Sequence, residues 1–127
     1  MKAFFGVKYH KDEKNKDKIN SIISALEKLN LEVVCLTTKD YGKSNETPAQ
    51  ELMEEAFEEI RASDLVIIEL TEKGVGLGIE AGYARSNDIP VYTIAEKGSD
   101  VSKTLKGISE RVIMYKDPMD LVEKLTI

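Results

Sequence analysis

What most narrows the fold of this chain is a rhythm. Five short runs rich in valine, isoleucine and phenylalanine are separated by longer segments with helical spacing. The runs fall at residues 3–5, 33–36, 65–70, 90–94 and 111–115. Their apolar residues do not alternate strictly with polar ones, as expected for strands covered on both faces of a parallel sheet. Between them, Ile19, Ile22, Ile23, Leu26 and Leu29 share one helical stripe. Leu52, Ala56 and Ile60 form a second core face. That helix is expected to begin with Thr47 as N-cap, Pro48 as first helical residue and Gln50 completing a Thr-x-x-Gln capping box. Further helices are expected over 76–86, near Ser102, and after Asp117-Pro118. Five rounds of strand and helix predict an α/β three-layer sandwich, flavodoxin-like or Rossmann-like. Its five-stranded parallel sheet takes the order 2-1-3-4-5, with right-handed crossovers. No linker or repeat interrupts the pattern, so residues 1–127 read as a single domain.

Composition then limits the chemistry. Cys35 is the only cysteine and His10 the only histidine, which leaves no internal disulfide, cysteine zinc cage or His-rich metal site. No metal and no cofactor is expected. A histidine-based triad would have to use His10, which sits in a lysine-rich loop and is expected to be solvated. The net charge of −5 speaks against a nucleic-acid polymer as partner, because phosphate contacts need clustered lysine and arginine. The apolar runs are too short to span a membrane, and the first residues lack a signal peptide's apolar stretch. The cytoplasm is the expected compartment. Carboxylates and hydroxyls are left to carry any reaction.

Topology says where a site belongs. In doubly wound sheets, ligands bind beyond the carboxyl ends of the strands where the strand order reverses. Here that is between the first and third strands. The loops leaving them are residues 6–10, with Gly6, Lys8 and Tyr9, and residues 71–78, with Thr71, Gly74, Gly76 and Gly78. Alternate glycines let backbone amides approach a ligand just where a helix begins. Glu80 follows within the first helical turn and leans back toward that loop. The segment lacks the lysine and spacing of a phosphate-binding P-loop, so NTPase chemistry is not expected.

Read whole, the strand from Asp64 through Thr71 followed by Gly74-Val-Gly-Leu-Gly-Ile-Glu80-Ala-Gly82-Tyr-Ala84 resembles the signature of the nucleoside 2-deoxyribosyltransferase family. That family includes the 2'-deoxynucleoside 5'-monophosphate N-glycosidases. The resemblance implies one deoxyribosyltransferase-like domain acting on a small-molecule nucleoside or nucleotide, and a homodimer. It also implies Glu80 as the nucleophile that attacks C1' of the sugar. Gly6 would belong to the phosphate- or sugar-side loop. Ser102, five residues before Gly107, would match a serine that contacts the nucleotide phosphate from the neighbouring subunit.

The chain departs from that pattern at several places. Ala3, Phe4 and Phe5 stand where family members tend to carry a first-strand tyrosine, with Tyr9 the nearest substitute. Val7 and Gly74 replace serines, and Ala56 stands at the position of an acidic residue that helps the base leave. Glu69 and Glu55 are the candidates for the second acid, and Glu59 lies nearby. Lys8 and the glycine-loop amides would take an anionic group, and Tyr9 would hydrogen-bond the nucleophile or cover the sheet edge. A glutamate nucleophile would split the displacement in two through a glycosyl ester, resolved by a second base or by water. A non-catalytic nucleotide-binding module of the same fold is the main alternative. A flavin-dependent electron-transfer domain is disfavoured by the absence of tryptophan and of a hydroxyl-rich phosphate loop.

Overall fold

The computed structural model describes residues 1–41 and 47–127. Its strands are β1 (Lys2–Gly6), β2 (Glu32–Val34), β3 (Leu65–Glu69), β4 (Val91–Glu96) and β5 (Arg111–Tyr115). They pair in parallel in the order β2-β1-β3-β4-β5. The helices are α1 (Lys16–Glu27), α2 (Leu36–Asp40), α3 (Ala49–Arg61), α4 (Val75–Ser86), α5 (Lys103–Ile108) and α6 (Asp120–Lys124).

The sheet divides the core in two. On one face Leu65 and Ile67 of β3 pack with Ile19, Ile22 and Leu26 of α1 and with Leu121 of α6. On the other, Val66 and Ile68 pack with Ala56 and Ile60 of α3 and with Leu77, Ala81 and Ala84 of α4. Side chains of a strand point to opposite faces in turn, so β3 is apolar throughout because both faces are covered. Across the second layer the Phe57 and Tyr83 rings stack at 4.2 Å, and Arg61 donates to the Tyr83 hydroxyl. These contacts tie α3 to α4.

Three local details differ from the sequence expectation. The second strand stops at Val34, and residues 36–40 form α2 instead. The Thr37 hydroxyl donates to Val7 O and that of Thr38 to Cys35 O, so side chains compete locally for main-chain partners. Helix α3 begins at Ala49 behind an extended Pro48, and no side chain caps it, so the expected Thr47 capping box does not form. Helix α1 ends at Glu27, short of Leu29, and Asn30 turns the chain in the left-handed region at φ 63°. Leu29 still packs against the core. No helix among the described residues is long and apolar enough to cross a membrane.

Candidate functional site

A cavity of about 400 Å³ opens where β1 and β3 end, between α2, α3 and α4. That size accommodates a nucleoside or a nucleotide. One wall is the glycine turn into α4, from Gly74 and Gly76 to Leu77. Lys8 and Tyr9 come from the loop after β1. The far wall is apolar, built of Leu36, Leu52, Met53 and Ala56, with Thr37, Thr47 and Asp40 as its polar members. Leu52, expected in the core, is 39% exposed at this opening.

Glu80 faces the cavity from the first turns of α4. Its carboxylate lies against the backbone of Gly6, where a Cβ would be 2.8 Å from Oε1. No hydrogen bond or ion pair reaches it among the described residues. Burial alone pushes its pKa up to about 7, because a charge out of water has nothing here to replace its hydration. A half-buried carboxylate poised near neutrality is suited to nucleophilic or acid-base work.

The loops that frame Glu80 are braced. Lys8 lies along the glycine turn, its Nζ 3.6 Å from where a Gly74 Cβ would sit. Asn15 Nδ2 donates to Lys8 O, while Asn15 Oδ1 accepts from the Tyr41 hydroxyl at 2.5 Å. Tyr41 OH in turn accepts from His10 N, and the Tyr41 ring packs against that of Tyr9 at 5.4 Å. His10 is not solvated as expected. Its side chain is 15% exposed, and Nε2 lies 2.9 Å from a Glu72 carboxylate oxygen, joining the loop after β1 to the loop after β3.

Several candidates lie elsewhere. Glu69 is buried on the opposite face of the sheet, as its odd-numbered neighbours Leu65 and Ile67 are. It accepts from Thr71 N, from the Thr71 hydroxyl and from the Tyr115 hydroxyl, and it pairs with Lys18 at 3.3 Å. Burial and the Glu69 carboxylate push the Tyr115 pKa up, so Tyr115 stays the donor. Thr71 also accepts from Glu96 N, which fastens the start of the glycine turn without reaching the cavity. Glu55 pairs with Lys39 and Glu59 with Lys2, and neither lines the cavity. Gly78 is exposed on α4, with open space beside it. Ser102 caps α5, its Oγ accepting from Leu105 N, also away from the cavity. Ala56 is buried in the cavity wall, as its apolar side chain allows.

The sequence reading missed Asp40. Among the described residues it and Glu80 are the two carboxylates lining the cavity, and Asp40 makes no hydrogen bond or ion pair there. The available signal was its place just beyond an edge strand that adjoins the first strand in the order 2-1-3. Among the described residues no group of three or more His, Cys, Asp or Glu side chains converges as a metal would require.

Against this geometry stand the likenesses to known proteins. A family model described as nucleoside 2-deoxyribosyltransferase matches residues 4–118. No curated protein sequence matches the chain. Among solved structures, the fold is similar to a 2-deoxyribosyltransferase from Bacillus psychrosaccharolyticus (TM-score 0.76, 13% identity, 96% of this chain and 90% of that one). It is also similar to the CMP N-glycosidase BcmB of Clostridium botulinum (TM-score 0.70, 18% identity, 98% and 97%). A third likeness is to a conserved protein from Enterococcus faecalis V583 (TM-score 0.77, 15% identity, 98% and 96%).

Proposed function

The chain belongs to the nucleoside 2-deoxyribosyltransferase family, and on that footing we propose that it cleaves the N-glycosidic bond of a nucleoside or its 5'-monophosphate through a glycosyl ester on Glu80. The observation that carries this reading is the Glu80 carboxylate itself. Among the described residues it has no partner, and it is half-buried at the strand ends of a cavity of nucleotide size. Of the similar folds, one is a 2-deoxyribosyltransferase and another a CMP N-glycosidase. Both chemistries break the bond between a sugar C1' and a base nitrogen.

In the first half-reaction Glu80 attacks C1', and the bonding pair leaves with the base nitrogen, which takes a proton from solvent at the open cavity mouth. The water or base that attacks in the second half-reaction gives one back. In the second, water or another base displaces the glycosyl ester and frees the Glu80 carboxylate. Gly6 lets the carboxylate lie over the end of β1. Lys8 and the amides around Gly74 and Gly76 would hold a 5'-phosphate or the 5' side of the sugar, where a helix N-terminus and a lysine favour an anion. Tyr9 would cover the substrate from the loop side. A homodimer suits the exposed apolar residues of α4, Val75 (83% exposed) and Ile79 (44%). In it, Ser102 of a second copy would complete the phosphate contacts that this chain's own Ser102 cannot reach.

The test is base release from a panel of 2'-deoxynucleosides and 5'-monophosphates, with and without an acceptor base. Glu80→Ala should lose at least about a thousandfold in rate. Acid-quenched native protein should carry the mass of one sugar. Release that persists in Glu80→Ala sinks the nucleophile. Nucleotide binding without release of any base would favour the non-catalytic module, a reading to which the buried Ala56 lends support.

A further inference from the structure

Among the described residues the cavity takes a lysine from one side and an aspartate from another, and this orients a substrate. Lys8 and the glycine turn stand beyond β1 and β3, whereas Asp40 stands on α2, which follows the edge strand β2. With C1' held at Glu80, the 5' side of the sugar belongs to the lysine end, since a phosphate beside Asp40 would meet a like charge. The base is left for the α2–α3 end. The wall there suits a flat ring: Leu36, Leu52, Met53 and Ala56 offer apolar contact to its faces.

Among the described residues a few polar groups on that wall can meet the edge of the base. The Thr37 hydroxyl is committed as donor to Val7 O, and Thr47 is exposed at the rim. Asp40 is half-buried and has no hydrogen bond or ion pair among the described residues, and its neighbour Lys39 is paired with Glu55 rather than with it. Its lone pairs are therefore open to a ligand group that donates a hydrogen bond.

Resting on the glycosidic-bond reading above, we infer that Asp40 is the specificity residue of this cavity. Its carboxylate accepts the amino hydrogens of the base, so that amino-bearing bases are selected over their oxo counterparts. An ionised carboxylate has lone pairs and no hydrogen to donate. Cytosine or adenine presents an exocyclic NH₂ to it, whereas uracil or hypoxanthine presents a carbonyl oxygen at the corresponding atom and is repelled.

The experiment uses two readouts on the full chain. The first is kcat/KM for base release from 2'-deoxycytidine against 2'-deoxyuridine 5'-monophosphate, and from the adenine against the hypoxanthine analogue. The second is calorimetric binding of the same pairs to Glu80→Ala, which holds substrate without turning it over. The amino-bearing member should be favoured by about tenfold or more in both, the value of one hydrogen bond to a charged group. Asp40→Asn, whose amide both donates and accepts, should bring the ratio below about threefold by improving the oxo substrate, at an unchanged melting temperature. Equal use of both members by the native protein, or a preference that survives Asp40→Asn, overturns the inference. Binding with the amino preference but no release of any base would retain Asp40 and reject the glycosidic reaction. If nothing binds, both are rejected.

Discussion

The Glu80 carboxylate occupies the space that a side chain at residue 6 would need: a Cβ on Gly6 would lie 2.8 Å from Oε1 and 3.0 Å from Ile68 Cδ1. Gly6 is the last residue of β1 and stands in register with Ile68 of β3. The bare end of β1 is therefore what allows a charged group from α4 to sit over the sheet.

Gly6→Ala should fold, because both obstructing atoms are the far ends of side chains, at a cost of about 1 kcal/mol. The carboxylate would be pushed off its position, and base release should fall about a hundredfold. Urea unfolding and steady-state rates on one preparation separate the two effects. Full activity in Gly6→Ala would show that the close approach has no catalytic role.

The pH dependence follows from Glu80. Its pKa is raised from 4.5 to about 7 by burial, and the nucleophile is the ionised form. The kcat/KM for base release should therefore rise with pH and level off above about pH 7. Stability runs the other way. Between pH 4.5 and 7 the folded state binds the proton more tightly than the unfolded chain, so stability falls as pH rises across that window. Glu80→Gln should exceed the native protein by on the order of 2 kcal/mol at pH 8 and match it below about pH 4.5. Denaturant melts at three pH values check this, and a pH-independent difference would refute it.

Glu69→Ala should be a stability lesion. It leaves Lys18, Tyr115 and both Thr71 donors without their buried acceptor, at about 3 kcal/mol. Because Glu69 faces the α1 side of the sheet, base release by the folded fraction should stay within about threefold of native. A folded but inactive Glu69→Ala would return this residue to the reaction.

Lys8→Ala should discriminate between substrates. KM for a 5'-monophosphate should rise about tenfold, with little change for the matching nucleoside, since only the phosphate gains from the lysine. The phosphate effect should shrink as salt is raised. An equal loss for both substrates would place Lys8 at the sugar rather than at the phosphate.

Much of the fold was legible in local pattern. Continuous apolar runs with helical stripes between them specify a parallel sheet and its strand order, and α4 begins where the glycines place it. Residues 36–40 were not legible. A run of Val33, Val34, Cys35 and Leu36 suits a longer strand, whereas residues 36–40 form α2, where the Thr37 hydroxyl reaches Val7 O across thirty residues of sequence and that of Thr38 reaches Cys35 O. Asp40 was hidden with it. His10 looked solvated because its sequence neighbours are lysines, whereas its partner Glu72 arrives from another loop.

The sequence by itself determined which carboxylate heads a helix behind a glycine turn at the reversal of strand order, and so nominated Glu80. Only the tertiary structure decided that Glu69 is not its companion and that Asp40 shares its cavity. Alternation along β3 separates Glu69 from Val66 and Ile68 whatever the fold does. Which of the two sets faces α4 depends on the sheet's register and on the packing of both helical layers, and a shift of one residue would exchange them. Period and order are properties of a segment; the side on which a charge is buried belongs to the assembled molecule.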